Sequence, residues 1–223
     1  MLVKKQLIEM LNLQSKMNET VNAEWLKAGY PFLRAAAMEA AEAIDHMTWK
    51  WWKKQEPNVP QAQMEMIDIW HFYLSDMLIL NDGNAEAAAN RILYEASTKN
   101  YFNDCYSIDL TENDVVRHLE YLMSDCAGVL RSVSMPLFSR IIEQLGLSWD
   151  ELFTVYIGKN VLNIFRQENG YKQGTYRKNW HDGREDNEHL TEILHSLPAD
   201  IANYASVLSN CLAIRYSQEA ANA

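Results

Sequence analysis

Two acidic pairs sit inside apolar helical stretches, and this limits what the rest of the chain can become. Glu39 and Glu42 are flanked by Ala35, Ala36, Ala37, Met38, Ala40, Ala41, Ala43 and Ile44, and neither lysine nor arginine occurs between Arg34 and Lys50. Glu65 and Asp68 are flanked by Met64, Met66, Ile67, Ile69 and Trp70. Residues three apart lie on one face of a helix. Such pairs are common on solvated faces, but a solvated face normally carries basic residues among its acids. These pairs are therefore expected to point inward. If the two helices pack antiparallel, four carboxylates converge, and four anions cannot crowd together in a bundle without a counter-charge. Hard oxygen donors select magnesium, manganese or calcium over soft metals. The expectation is a metal site in a helical bundle. His71 and Phe72 follow Asp68 by three and four residues and share its face.

The chain as a whole fits a bundle. Only 8 glycines and 5 prolines punctuate 223 residues, and Ala, Leu, Glu and Met favour helix. Apolar spacing predicts helices over about 2–27, 31–48, 61–80 and 85–100, with Gly29 and the Asn81-Asp82-Gly83-Asn84 turn as breaks. Pro31 can open the second helix. Residues 49–60 carry two prolines and read as a loop. Helical pattern runs from a Thr111 N-cap to about Leu145 with a break near Pro136. Ser148-Trp149-Asp150-Glu151 matches a capping box opening a helix to about Gln167. Residues 168–187 hold three glycines and little periodicity, and long loops of that kind in compact helical proteins are often functional. Helices resume near 188 and 199. The reading is an all-α fold of about 8–10 helices, a single catalytic domain over 1–223 with a mobile sub-region around 101–147.

Charge and cysteines exclude several classes. A formal net charge of -10 makes a poor general binder of nucleic-acid backbone. It still permits a small anionic substrate bridged by metal. Cys105, Cys126 and Cys211 are far apart and show no zinc spacing, as expected of free thiols. No apolar run approaches the ~18–20 residues that span a bilayer, and the charged N-terminus is a poor signal peptide. The expected setting is cytoplasmic. P-loop, dinucleotide-binding and serine-elbow motifs are absent from the sequence.

Against this acidic background, residues 159–184 carry Lys159, Arg166, Lys172, Arg177, Lys178 and Arg184 opposed by only Glu168 and Asp182. Tyr171, Tyr176 and Trp180 interleave with them. A solvated loop could look like this. Beside an acidic cage, however, the same residues suit a phosphate clamp, because Arg and Lys bind phosphate oxygens and Tyr supplies a directional hydroxyl.

The acidic motifs at 39–42 and 65–68 resemble the metal signature of the all-α nucleoside triphosphate pyrophosphohydrolases. Within that superfamily the chain is similar to the dimeric dUTPase family. The strings that carry the resemblance are Leu13-Gln14 with Asn18, TWKWWKK at 48–54, EMIDIWHF at 65–72 and GKNVLNIFRQENGYKQGTYRKNWHDGREDN at 158–187. The likeness spans most of the chain and is weakest between about 101 and 147. It implies a homodimer that hydrolyses dUTP to dUMP with release of pyrophosphate, and dUDP to dUMP with release of phosphate. It implies that Glu39, Glu42, Glu65 and Asp68 hold two or more Mg2+ ions, with Mn2+ as a substitute. Gln14, Asn18 and Trp51 fall where the family reads uracil, with Trp49 and Trp52 as alternatives to Trp51. His71 and Phe72 resemble residues that bind the sugar and pack on the nucleoside, and Asn163 resembles another nucleoside contact. Lys159, Arg166, Tyr171, Lys178 and Asn187 resemble the phosphate-binding set. Glu39 or Glu42 would orient or deprotonate the attacking water, with Glu39 preferred. Two other readings remain: a pyrophosphohydrolase acting on dCTP or another deoxynucleotide, and a non-catalytic nucleotide-binding helical protein. A di-iron bundle needs Glu-x-x-His pairs, and neither Glu39 nor Glu65 begins one.

Overall fold

A computed structural model describes residues 2–97, 113–129, 131–180, 182–197 and 204–221. Among them are nine α-helices and no sheet: α1 Lys4–Val21, α2 Phe32–Asp45, α3 Val59–Ile79, α4 Ala85–Ser97, α5 Val115–Ala127, α6 Met135–Gln144, α7 Trp149–Glu168, α8 Asp186–Ser196 and α9 Tyr204–Ala221. The expected all-α architecture is present. No helix among the described residues is long and apolar enough to cross a membrane.

Several boundaries differ from the sequence expectations, each for a local reason. The first helix stops at Val21 because Asn22 is extended, and its side chain accepts from the backbone N–H of Glu24, an Asx turn that competes with helix. A 3-10 turn, Trp25–Lys27, follows. The 111–145 pattern divides after Ala127, with extended backbone at Gly128. Pro136 instead lies in the first turn of α6, where a missing N–H is harmless. Asp114 caps α5, accepting from Arg117 N at 3.0 Å. The proposed Thr111 cap, Cys105, residues 101–112 of the expected mobile sub-region and the helix start near 199 lie outside the described residues. The Ser148–Glu151 capping box forms in both directions, as expected.

Helices α2 and α3 make the main contact and run antiparallel. Asn58 N donates to His46 O at 2.8 Å where one ends and the other begins. At their far ends the Phe32 and Phe72 rings are 6.5 Å apart. Small residues Ala36, Ala40 and Ala43 are fully buried along this seam, so the backbones approach closely. Helix α3 is the central element. Trp70 and Ile67 are fully buried in it, and Trp70 Nε1 donates to Met10 Sδ at 3.4 Å. The principal core takes residues from α1 to the first half of α7. A second, smaller core joins Leu162 and Phe165 of α7 to Trp180, α8 and α9.

Gly158 lets α7 and α8 pack at short range. A Cβ there would stand 2.9 Å from Leu194 Cδ2 and 3.0 Å from Leu194 Cδ1. The 169–185 segment wraps back between α7 and α8. It turns at Gly170, whose φ of +92° is left-handed and whose Cβ would collide with Thr175 Oγ1. Lys172 Nζ reaches Val21 O at 3.3 Å, bringing the segment against the end of α1.

Candidate active site

The antiparallel seam places the acidic pairs opposite each other. Single carboxylate oxygens of Glu39, Glu42 and Glu65 lie within 4.8 Å of one another. Glu65 is buried, Glu39 half-buried and Glu42 exposed, so the cluster runs from the helix interface toward solvent. Asp68, one turn beyond Glu65, is held by Lys159 Nζ at 2.8 Å. Lys159 is itself buried and also donates to Asn187 Oδ1 at 3.0 Å.

The electrostatics record the crowding. Burial first, then the charges of Asp68 and Glu42, push the Glu39 carboxyl up to about 7, while its hydrogen bond with Glu65 and the Lys159 charge pull the other way. Burial and the Asp68 charge push Glu65 to about 8, with Lys159 again opposing. Burial and mutual repulsion therefore oppose ionising Glu39 and Glu65 together. His46 Nε2 stands 3.4 Å from Glu65 Oε1. The clustered donors of Glu39, Glu42 and Glu65 are all carboxylate oxygens, a set that suits a hard divalent cation.

The acids line a cavity of about 650 Å³, within the range of small-ligand sites. Its opposite wall holds Lys159, Asn163, Arg166, Tyr171, Lys178 and Asn187. Phe72 also lines it. All four acids and all five residues of the expected phosphate set therefore face one space. Lys159 and Arg166 come from α7, Asn187 from the first turn of α8, and Tyr171 and Lys178 from the segment between. Arg166 Nη1 donates to Asn163 Oδ1 at 2.9 Å and Nη2 to Asn187 Oδ1 at 3.2 Å.

The expected nucleoside residues divide. Gln14, Asn18 and His71 form one buried network beneath the cavity. Gln14 Nε2 donates to Asn18 Oδ1 at 3.1 Å, and Asn18 Nδ2 donates to Ser75 Oγ at 3.0 Å. Gln14 Oε1 is 2.7 Å from His71 Nδ1 and 2.8 Å from the Tyr156 hydroxyl. An amide oxygen only accepts, so His71 carries its proton on Nδ1. Burial holds the imidazole down to about 3 and hence neutral. Its Nε2 is buried without a protein partner. Tyr156 stacks on the His71 ring at 4.1 Å. Trp51 is elsewhere: it is 90% exposed, on the 46–58 connection, in an edge contact with Trp52 at 5.5 Å. The structure does not bring it, Trp49 or Trp52 to the cavity wall.

Sequence reasoning missed His46, Tyr156, Ser75 and Asp186. His46 follows Glu42 by four residues, a helical spacing that could have flagged it. Tyr156 precedes Lys159 by three, again a readable interval. Asp186 had no such signal, because its partners are far away in the chain.

A family model described as dUTPase matches residues 6–171. That stretch covers α1 to α7, with the four acids, Lys159 and Arg166; Lys178, Asp186 and Asn187 lie beyond it. No curated protein matches the chain.

Proposed function

The chain belongs to the dUTPase family and is a dUTP diphosphatase, and we propose that it works as a magnesium enzyme through Glu39, Glu42, Glu65 and Asp68. The observation that carries this reading is the pairing of walls in one cavity: clustered carboxylates on α2 and α3 face Lys159, Arg166 and Lys178. Such a space accepts a polyphosphate together with the divalent ions that accompany it. When bound, those cations neutralise phosphate oxygens and make a water acidic enough to attack.

Within this reading the side chains divide the work. Lys159, Arg166, Tyr171, Lys178 and Asn187 hold the phosphates and neutralise the departing pyrophosphate. Glu39, half-buried and lining the cavity, accepts the proton of the water that attacks the α-phosphorus. Phe72 and Asn163 contact the nucleoside from the cavity. Gln14 and Asn18 carry amides that would meet a donor and an acceptor on a uracil edge in exchange for their present bonds to each other and to His71, Tyr156 and Ser75. Losing one such buried bond costs ~1–3 kcal/mol, roughly ten- to a hundredfold in base preference. His71 Nε2, buried without a protein partner, would accept from a sugar hydroxyl once nucleotide reaches it. Trp51 reaches nucleotide only if the 46–58 connection or a second copy of the chain moves it there. A homodimer is part of this proposal, and sedimentation with and without nucleotide tests it.

The decisive experiment is a panel of deoxynucleoside triphosphates with pyrophosphate detection, with magnesium and with a chelator. The expected result is turnover of dUTP to dUMP that requires the metal, and dUDP hydrolysis releasing phosphate. Preference for dCTP or another base would overturn the base assignment. Undiminished turnover in chelator would overturn the metal site.

A further inference from the structure

Arg166 is gripped from behind by a carboxylate that the proposed chemistry leaves without a role. Asp186 is fully buried and does not line the cavity. Its Oδ2 accepts from Arg166 Nε at 2.8 Å and its Oδ1 from Arg166 Nη2 at 2.7 Å. This is the two-point fork that fixes a guanidinium in plane. The Tyr176 hydroxyl donates to the same Oδ2 at 2.8 Å. The Tyr176 ring is stacked on Tyr216 of α9, with centroids 5.2 Å apart and planes 19° apart, and meets Phe165 of α7 edge-on at 6.3 Å.

The orientation of the pair matters. A buried Arg–Asp pair is by itself often only structural. Here the Nε/Nη2 edge is occupied by Asp186, while the remaining contacts of Arg166 go to Asn163 and Asn187. Both of those amides line the cavity with Arg166 itself. Amide-oxygen contacts can be exchanged for phosphate oxygens without turning the guanidinium.

We propose that Asp186 and Tyr176 are positioning residues for Arg166, presenting its Nη1 edge to the polyphosphate and tying that aim to α9 through the Tyr176–Tyr216 stack. The inference rests on the reading of Arg166 as a phosphate ligand. It adds that the clamp depends on residues beyond the stretch matched by the family model, drawn from the 169–185 segment, α8 and α9.

The test is a kinetic cycle with dUTP and pyrophosphate detection, accompanied by thermal melts. Asp186→Asn keeps the shape and removes the charge; Tyr176→Phe keeps the ring contacts with Phe165, Tyr171 and Tyr216 and removes only the hydroxyl. Each is made in the wild-type and in the Arg166→Lys background, where no fork remains to be held. Asp186→Asn should lower kcat/KM by roughly ten- to a hundredfold, the scale of a misplaced positioning group. Tyr176→Phe should cost about two- to tenfold, one hydrogen bond. In the Arg166→Lys background each should cost less than about threefold more, because groups that act through one another are not additive. Equal losses in both backgrounds would show a general structural role and overturn the proposal. Wild-type kinetics for both single variants, with Arg166→Lys impaired, would overturn it while leaving the phosphate clamp standing. Wild-type kinetics for Arg166→Lys would remove Arg166 from the phosphate site and overturn both. If Asp186→Asn does not fold, the Tyr176→Phe pair decides by the same criteria.

Discussion

Replacing Lys159 with methionine tests whether its ammonium is what makes the acidic cage tolerable in the folded protein. Methionine keeps most of the apolar stem and removes the charge. In the wild type the ammonium lies 2.8 Å from Asp68 and is almost wholly buried, with Asp68 about one-fifth exposed. Breaking a buried pair costs ~3–5 kcal/mol because the remaining ion loses its partner. The partial exposure of Asp68 places the expectation at the lower end, about 3 kcal/mol. A change of 1 kcal/mol shifts the melting temperature of a chain this size by ~2–4 °C, so the metal-free variant should melt about 6–12 °C below wild type. Magnesium should recover much of the loss, since a cation can stand where the lysine stood. Ligand at a hundredfold excess over its Kd contributes ~2.7 kcal/mol. Scanning calorimetry at pH 9, in chelator and then in magnesium chloride, reads both quantities. A metal-free Lys159→Met protein that melts within 2 °C of wild type would refute the counter-charge argument. Turnover should fall as well, since Lys159 belongs to the proposed phosphate-binding set.

The other expectations follow from the same geometry. Glu42 is the exposed member of the cluster, so Glu42→Gln should abolish magnesium-dependent turnover while moving stability by no more than about 0.5 kcal/mol; near-wild-type turnover would sink the metal assignment. Glu39 and Glu65 are raised from 4.5 to about 7 and about 8, so the folded state binds more protons than the unfolded one. The stability they contribute is full below pH 4.5 and is lost as pH rises through 7 to 8. In chelator, the melting temperature of wild type relative to Glu65→Gln should therefore fall between pH 5 and pH 9; a flat or rising difference would contradict the carboxyl pair. Gly158→Ala gains ~1 kcal/mol of helix propensity but overpacks against Leu194, at ~1–3 kcal/mol. The melting temperature should drop and kcat/KM with it, because α8 carries Asn187; a rise in both would mean that Leu194 yields freely.

The fold was legible wherever periodicity was long and punctuation local. The Ser148 box could be read directly, and the apolar neighbours correctly implied an inward face for Glu65, though Glu42 is exposed; antiparallel packing of the two acidic helices was a condition that only the structure met. The break within 111–145 was misplaced, because Pro136 attracts attention while α6 simply begins there; the chain actually turns at Gly128. The site was legible along single helices, where Glu39 and Glu42, or Glu65, Asp68 and Phe72, share a face. It was illegible where the partner lies in another element. Nothing local to Asp186 announces that Arg166, twenty residues earlier, and Tyr176, ten residues earlier, converge on it. Tyr156 meets Gln14 across 142 positions, a separation that only folding closes.

These contacts give the buried charges of the site a common logic. Asp68 is tolerated because of Lys159, and Asp186 because of Arg166. Glu39 and Glu65 have no lysine or arginine bonded to them; His46 Nε2 stands 3.4 Å from Glu65, and both carboxyls are pushed up by burial. Asp68 and Asp186 thus have cationic partners, while the Glu39–Glu65 pair does not, and that pair is where the proposed divalent cation would sit. An apolar replacement of Glu65 would relieve that imbalance and should favour the fold, as buried ionic groups often cost stability. On the proposed reading the missing charge arrives with the metal–nucleotide substrate, and energy withheld from folding would then be available for binding it.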